Sequence, residues 1–482
     1  MSIASTFKKI VLMASLTMTS LISANNLQIT GTSVSGTNIT FNVSWDNSWY
    51  TNFAPNNWDA VWIFVKYQDC ATRLWNHADL STTIGDHSAA SPLTVETVTD
   101  GKGVFLRRSA LGGGNVGSTS ITLKMNIPAG TFNYKVFGIE MVKVLQENFE
   151  LGDGASSSTL NSITINAAAQ SGGLTATQLG GSAVALPSTF PMGYNEFYCM
   201  KYEITQDQYV QFLNTLTYDQ QKSRTVSDPI SAAGTYPMQG SYAYRNGIRI
   251  SVPGNNNTLP AIYACDATAG TENSSNDAQN IAMNYLNWAD VAAYLDWSAL
   301  RPMTELEFEK VCRGPLPRVA GEYPWGTTAI NLVHSGLVSN ALTATETYTV
   351  VASGNCAYGV NNATGVYGPL RVGIFATSSS GRTSSGASYY GAMEMGGNVW
   401  ERTITVGNAS GSSFIGNNGD GNLTNLGEAN QNTWPSPSTA IGAGFRGGDF
   451  FNTNTPIRTS DRQSASQSTA TRDYRYGGRG VR

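Results

Sequence analysis

The sequence predicts an α+β protein in which an all-β sandwich precedes a larger, loop-rich mixed domain. Three observations carry this reading. Residues 25–139 alternate apolar and polar side chains with period two. Three helices are signalled between Thr205 and Arg313, two of them by capping boxes, and beyond Pro315 helical periodicity almost vanishes in favour of Gly, Asn and Ser. Charged residues are only 13% of the chain while glycine reaches 50 of 482, a balance that suits strands and loops over a helical bundle.

In the first region Phe41, Val43 and Trp45 alternate with polar residues, as do Ile121, Leu123, Met125 and Ile127, then Phe132, Tyr134 and Val136. Successive side chains on a strand face opposite ways, so each run offers one apolar face. Ala60 to Val65 is continuously apolar and fits a buried strand. Turn clusters at Ser35-Gly36-Thr37-Asn38 and Leu111-Gly112-Gly113-Gly114-Asn115 separate the strands. The sum is a sandwich of roughly 110 residues, the size of an immunoglobulin-like module. Trp45, Trp49, Trp58, Trp62 and Trp75 could stack on sugars, but packing in the core or an interface is the stronger reading, because aromatics dominate burial in small sandwiches.

The polar stretch from Ala155 to Ser188 reads as a surface excursion. The first helix opens on a capping box, Thr205 with Gln208, and carries Tyr209, Phe212, Leu213 and Leu216 on one face. The second spans Asn287 to Trp297, with Trp288, Val291, Ala292 and Leu295 as its stripe. The third is capped by Thr304 and Glu307, stapled by Met303 and Phe308, and stopped at Gly314-Pro315. Gly407 to Gly442 reads as a long loop.

Lys8 and Lys9 precede an apolar run from Ile10 to Ile22 and the small residues Ser23 and Ala24, which predicts a signal peptide over residues 1–24 and export to the periplasm, cell surface or medium. The run is shorter than the ~20 residues a membrane span needs, and no later segment qualifies. A net charge of −4 gives no basic surface for nucleic acid. The five cysteines, Cys70, Cys199, Cys265, Cys312 and Cys356, form no C-x-x-C pair, which argues against zinc or iron–sulfur sites. Cys265 with Cys356 is the pair put forward for a disulfide, whereas Cys199 and Cys312 read as small core residues.

GAMEMGGNVWERT, Gly391 to Thr403, resembles the signature of the formylglycine-generating-enzyme, or sulfatase-modifying-factor, family. Other blocks follow the family's order. FYCMKYEITQDQY (Phe197 to Tyr209), NWADVAAYLDW (Asn287 to Trp297), RPMTELEFEKVCRG (Arg301 to Gly314), YPWG (Tyr323 to Gly326), GFRGGDF (Gly444 to Phe450) and GGRGVR (Gly477 to Arg482) each resemble a family motif. The resemblance implies a domain related in architecture to C-type lectins over residues 140–482, abutting a sandwich over 25–139 without a linker. It also implies a structural Ca²⁺ held by the carbonyls of Gly397 and Val399 and the carboxylates of Glu401 and Glu394, hard oxygen donors suited to that ion. The bland alternative is that Glu401 merely pairs with an arginine. The family's second calcium site has only Asn331 and Leu332 as weak counterparts, and Gly419-Asp420-Gly421-Asn422 reads as an ordinary turn.

The family's oxidases bind Cu(I) through two C-terminal cysteine thiolates. Here the corresponding stretch, Asp449 to Arg462, holds none, and no cysteine follows Cys356. Copper chemistry is therefore not expected, and no catalytic residue is assigned. An iron-binding histidine cluster is equally unsupported, since His77, His87 and His334 are scattered. Between Arg446 and Arg482 there are seven arginines against three aspartates. Arg446 and Arg479 read as internal ion pairs, while Arg458, Arg462, Arg472 and Arg475 are candidates for a groove that takes an anionic or peptide ligand. The reading that results is an exported, non-catalytic binding or assembly protein, its partner a protein, peptide or glycan, or another copy of itself. The alternatives are an oxidase acting on sulfatase cysteines and a diversified lectin-fold ligand-display protein.

Overall fold

The structure, a computed structural model, describes residues 26–255, 258–268, 270–332, 338–349, 354–359, 366–377 and 379–482. The expected signal peptide and His334 lie outside the described residues.

Nine strands build the N-terminal module: β1 (Gln28–Ser35), β2 (Asn38–Tyr50), β3 (Asp59–Asp69), β4 (Trp75–Leu80), β5 (Ser88–Ala89), β6 (Leu93–Thr97), β7 (Val104–Arg108), β8 (Gly112–Asn126) and β9 (Phe132–Val144). On one side β2 pairs antiparallel with β1 and β8; on the other, β3 pairs antiparallel with β4, β7 and β9. Between them Ile39, Phe41, Val43, Trp45, Ile121 and Leu123 meet Val61, Ile63 and Val65 in one buried cluster, consistent with the expected sandwich. The alternation of β3 explains why its apolar run has no gaps. The odd residues 61, 63 and 65 face this cluster, while Ala60, Trp62 and Phe64 face a second core shared with the rest of the chain.

That second face changes the expected division at residue 139. Strand β9 runs straight through it: Phe132–Val142 pair with β3 on one edge and Met141–Val144 with β12 (Phe197–Met200) on the other; β12 meets Gly480–Val481, which in turn meets Arg301–Pro302. The modules share a strand, so the missing linker is a continuous sheet.

The mixed domain contains β10 (Phe149–Leu151), β11 (Ile163–Ile165), α1 (Ala167–Gly172), α2 (Ala176–Leu179), α3 (Gln206–Leu213), α4 (Tyr218–Arg224), α5 (Trp288–Trp297) and α6 (Glu305–Arg313). The three expected helices form, Thr205 and Thr304 with the expected capping boxes and Asn287 with an unexpected one, each accepting from the backbone three residues on. Met303 and Phe308 meet in one buried cluster, as the staple requires. Helix α4 is additional, opened by its own capping box, Thr217 with Gln220. Beyond Pro315 the helical pieces among the described residues are short: Arg382–Ser385, Ala409–Ser412 and a 3₁₀ turn at Thr455–Ile457.

Residues 155–188 are not a surface excursion. Leu160, Ile165, Leu174, Leu179 and Leu186 are sparse in sequence, yet all are buried in the shared core, carried there by β11 and the capped turns α1 and α2. The Cys265–Cys356 disulfide is also absent. Both thiols are free and buried in different clusters, and Cys356 Sγ donates to the Gly396 carbonyl at 3.2 Å. Cys199 and Cys312 are core residues as expected.

Candidate functional site

The signature turn is a hub of left-handed backbone. Glu394, Gly397 and Asn398 have φ of 50°, 78° and 59°, and the chain then enters the strand Trp400–Ile404, flanked by Ala443–Arg446 and Tyr476–Gly477. Two glycines are required sterically. A Cβ on Gly397 would stand 2.4 Å from Cys356 Sγ, and one on Gly391 would stand 3.0 Å from the Trp49 ring of the sandwich. The first residue of the signature is thus where the N-terminal module docks.

Charged side chains from distant blocks hold this turn. Glu203, in the Phe197–Tyr209 block, accepts from Asn398 Nδ2 at 2.6 Å and from the Val399 amide at 3.0 Å. Arg479, in the closing block, donates from Nε to Glu401 Oε1 at 2.6 Å and from a terminal nitrogen to the Met393 carbonyl at 2.6 Å. The alternative reading of Glu401, an arginine pair, is therefore realised. Asn398 Oδ1 accepts from the Leu370 amide at 2.8 Å, and Glu394 Oε1 accepts from the Gly373 amide at 2.9 Å. Burial pushes both Glu394 and Glu401 up to about 7, with the Gly373 amide opposing it at Glu394 and Arg479 opposing it at Glu401. Burial likewise raises Glu203 well above the usual carboxylate range. Glu203 did not stand out within its motif; its position only matters once the fold brings it under Asn398.

The second carboxylate oxygens of Glu394 and Glu401 are buried without a hydrogen-bond partner. These orphaned oxygens fit a hard divalent cation on the expected donor set of Glu394, Gly397, Val399 and Glu401. Among the described residues no group of three or more His, Cys, Asp or Glu is placed to hold a metal, so such a site would lean on backbone carbonyls. Asn331 and Leu332, the counterparts of a second site, instead form a short parallel ladder with Asn355–Cys356. The Gly419–Asn422 turn docks on the core, with Asp296 accepting from the Asp420 amide at 2.9 Å.

The four groove arginines go separate ways. Arg462 is buried and donates from Nε to Glu305 at 2.6 Å and to the Gly181 carbonyl at 2.8 Å. Arg472 pairs with Asp290 at 2.7 Å and with the Ser223 carbonyl at 3.0 Å. Arg475 pairs with its neighbour Asp473 at 2.7 Å and lies 5.1 Å from the Tyr474 ring, while Arg458 lies beside Tyr323. They do not line one groove, and Arg462 and Arg472 serve inside the protein. Arg446 does as expected, reaching Glu305 at 3.0 Å and Glu309 at 3.3 Å. The acids of α6 likewise act as scaffold: Arg301 grips Glu307 with both terminal nitrogens, at 2.9 and 2.7 Å, and Arg313 reaches Glu309 at 3.2 Å.

The family model described as "Sulfatase-modifying factor enzyme 1-like domain" matches residues 168–482. A comparison with curated proteins gives no match. The family match covers well over half of the chain, includes both ends of the Glu203–Asn398 and Glu401–Arg479 contacts, and leaves out residues 1–167, which hold the sandwich, β10 and β11. On that coverage, the chain belongs to the sulfatase-modifying factor family.

Proposed function

We propose that this chain is an exported, non-catalytic binding or assembly protein that keeps the family scaffold and has lost the family's oxidase chemistry. The observation that carries the reading is the stretch Asp449 to Arg462, which has no thiol where the oxidases place their copper ligands. Asn, Thr and Ile side chains cannot replace thiolates on a soft ion. The cysteines elsewhere do not supply a pair: Cys70 is a single exposed thiol in the sandwich, while Cys199, Cys265, Cys312 and Cys356 are buried, and burial raises each of these four, to about 12 for Cys199, away from the thiolate a metal needs. The test is copper-dependent oxidation of a cysteine-containing sulfatase peptide by the purified protein. No formylglycine product is expected, and robust turnover would overthrow the reading. Sizing at several protein concentrations separates self-assembly from a monomer that binds something else.

The same reading gives calcium a structural role. Bound by Glu394, Gly397, Val399 and Glu401, it would supply positive charge to two desolvated carboxylates and tie both ends of the signature turn together. Calcium should raise the melting temperature of protein stripped with EDTA, and Glu401→Ala should abolish that increment. An increment of the same size in the variant would remove these residues as the site.

A further inference from the structure

Away from the C-terminal loops, a cleft of about 650 Å³ opens where the two modules meet. One wall is the sandwich, with Gln28 on β1 and Gly138–Glu140 on β9. The other is the first two turns of α3 together with the segment 273–280. Its polar lining is dominated by amide side chains, and four of them share one arrangement. Gln208 Oε1 is taken by the Thr205 amide at 3.0 Å and Asn273 Oδ1 by the Cys265 amide at 3.0 Å. Gln211 donates from Nε2 to Asp207, and Gln28 from Nε2 to Asn26 at 3.4 Å. Among the described residues no protein group meets the other end of any of the four. Two amide NH₂ groups and two amide carbonyls are thus pinned at one end and free at the other.

Oriented amide donors and acceptors in one cleft match a ligand whose every polar group both donates and accepts, which is the chemistry of vicinal hydroxyls. Leu27, half-buried over the core residues Ile139 and Met200, adds an apolar edge against which the C–H face of a pyranose can lie. Charge narrows the class. No lysine or arginine lines the cleft, Glu140 is already paired with Lys201 at 3.1 Å and Asp207 stands on the α3 wall, so a sulfated or uronic sugar would find no cation to meet its charge. We propose that this junction cleft binds a neutral oligosaccharide. Because half of each amide is already fixed by the protein, little side-chain freedom remains to be lost on binding. The proposal holds whether or not the protein is catalytic.

The test is calorimetric titration of the full chain with cellotetraose, maltotetraose, xylotetraose and N-acetylchitotetraose, alongside a chondroitin sulfate tetrasaccharide and spermine. Saturable binding of at least one neutral sugar is expected, insensitive to salt, with none for the sulfated one. Gln28→Ala and Gln211→Ala are on exposed side chains, should leave the melting temperature unchanged, and should each weaken binding about fivefold through one lost hydrogen bond. Three outcomes overturn the proposal: no neutral sugar saturates, leaving a merely hydrated seam; the double variant binds as well as the parent; or spermine or the sulfated sugar binds in preference.

Discussion

Trp62 is where the structure makes the two modules one folding unit, and its removal gives that claim a magnitude. The indole is fully buried, with its ring centroid 4.9 Å from that of Phe105 and the Arg482 guanidinium 4.1 Å above it. Its Nε1–H donates to the Ser298 carbonyl at 2.9 Å, just past the end of α5. Trp62→Ala costs about 3–5 kcal/mol for the lost side chain and its cavity. The orphaned Ser298 carbonyl adds about 1 kcal/mol or more. For a chain of this length the entropy of unfolding is about 1 kcal/mol/K, so the melting temperature should fall by about 5 °C. Trp62→Phe keeps most of the packing and loses the hydrogen bond, for about 1–2 kcal/mol and a third of that shift. Differential scanning calorimetry should show a single transition that moves as a whole. Two transitions of which only one responds, or an unmoved melting point in Trp62→Ala, would refute the shared core.

Glu305 sets an acid limit on stability. Burial raises its pKa, but Arg462 at 2.6 Å and Arg446 at 3.0 Å outweigh that and hold the carboxyl at about 2, against 4.5 for the ordinary group. A value depressed by folding stabilises above 4.5 and is lost as pH falls from there towards 2. About 3 kcal/mol should therefore drain across that window. The urea midpoint should drop there, and Glu305→Gln should flatten the profile. Arg462→Ala should cost about 3–5 kcal/mol because it strands buried Glu305. Arg475→Ala, whose pair with Asp473 is partly exposed, should cost less than about 1 kcal/mol. Equal midpoints in guanidinium chloride for the two variants would break that ranking. Native protein should expose one thiol to Ellman's reagent, Cys70, and all five only after denaturation. A denatured titre below five would mean a disulfide has formed.

What local patterns could show, they showed. The capping boxes at Thr205 and Thr304, the apolar stripe of Trp288, Val291, Ala292 and Leu295 and the apolar run at Ala60 to Val65 are short-range signals, and each element forms where its residues place it. The failures are long-range. Residues 155–188 looked polar because their buried leucines are too far apart to make a periodic stripe; each is held by a different turn. The division at residue 139 sits inside β9 because period two persists through it, and nothing local reports that β12 joins the strand's other edge from Met141 on. The four arginines shared a segment, but sharing a segment does not bring their guanidinium groups together when each side chain reaches a different acid or ring.

On the proposed reading the signature persists without the chemistry it usually accompanies, and the geometry supplies a reason. Glu203, Asn398, Glu401 and Arg479 come from three separate blocks and meet in the interior, where an unpaired charge costs several kcal/mol. Changing any one of them strands another, so the turn is constrained by folding alone. A pair of thiols on Asp449 to Arg462 would be under no such constraint. That stretch is tied to the core through the Phe450 amide on the Asn398 carbonyl at 2.8 Å and through Arg462 on Glu305, and these contacts need no sulfur. Loss of the catalytic thiols and retention of the signature are therefore physically independent events. The motif reports that the scaffold is closed, and activity has to be judged from the residues that would touch a substrate.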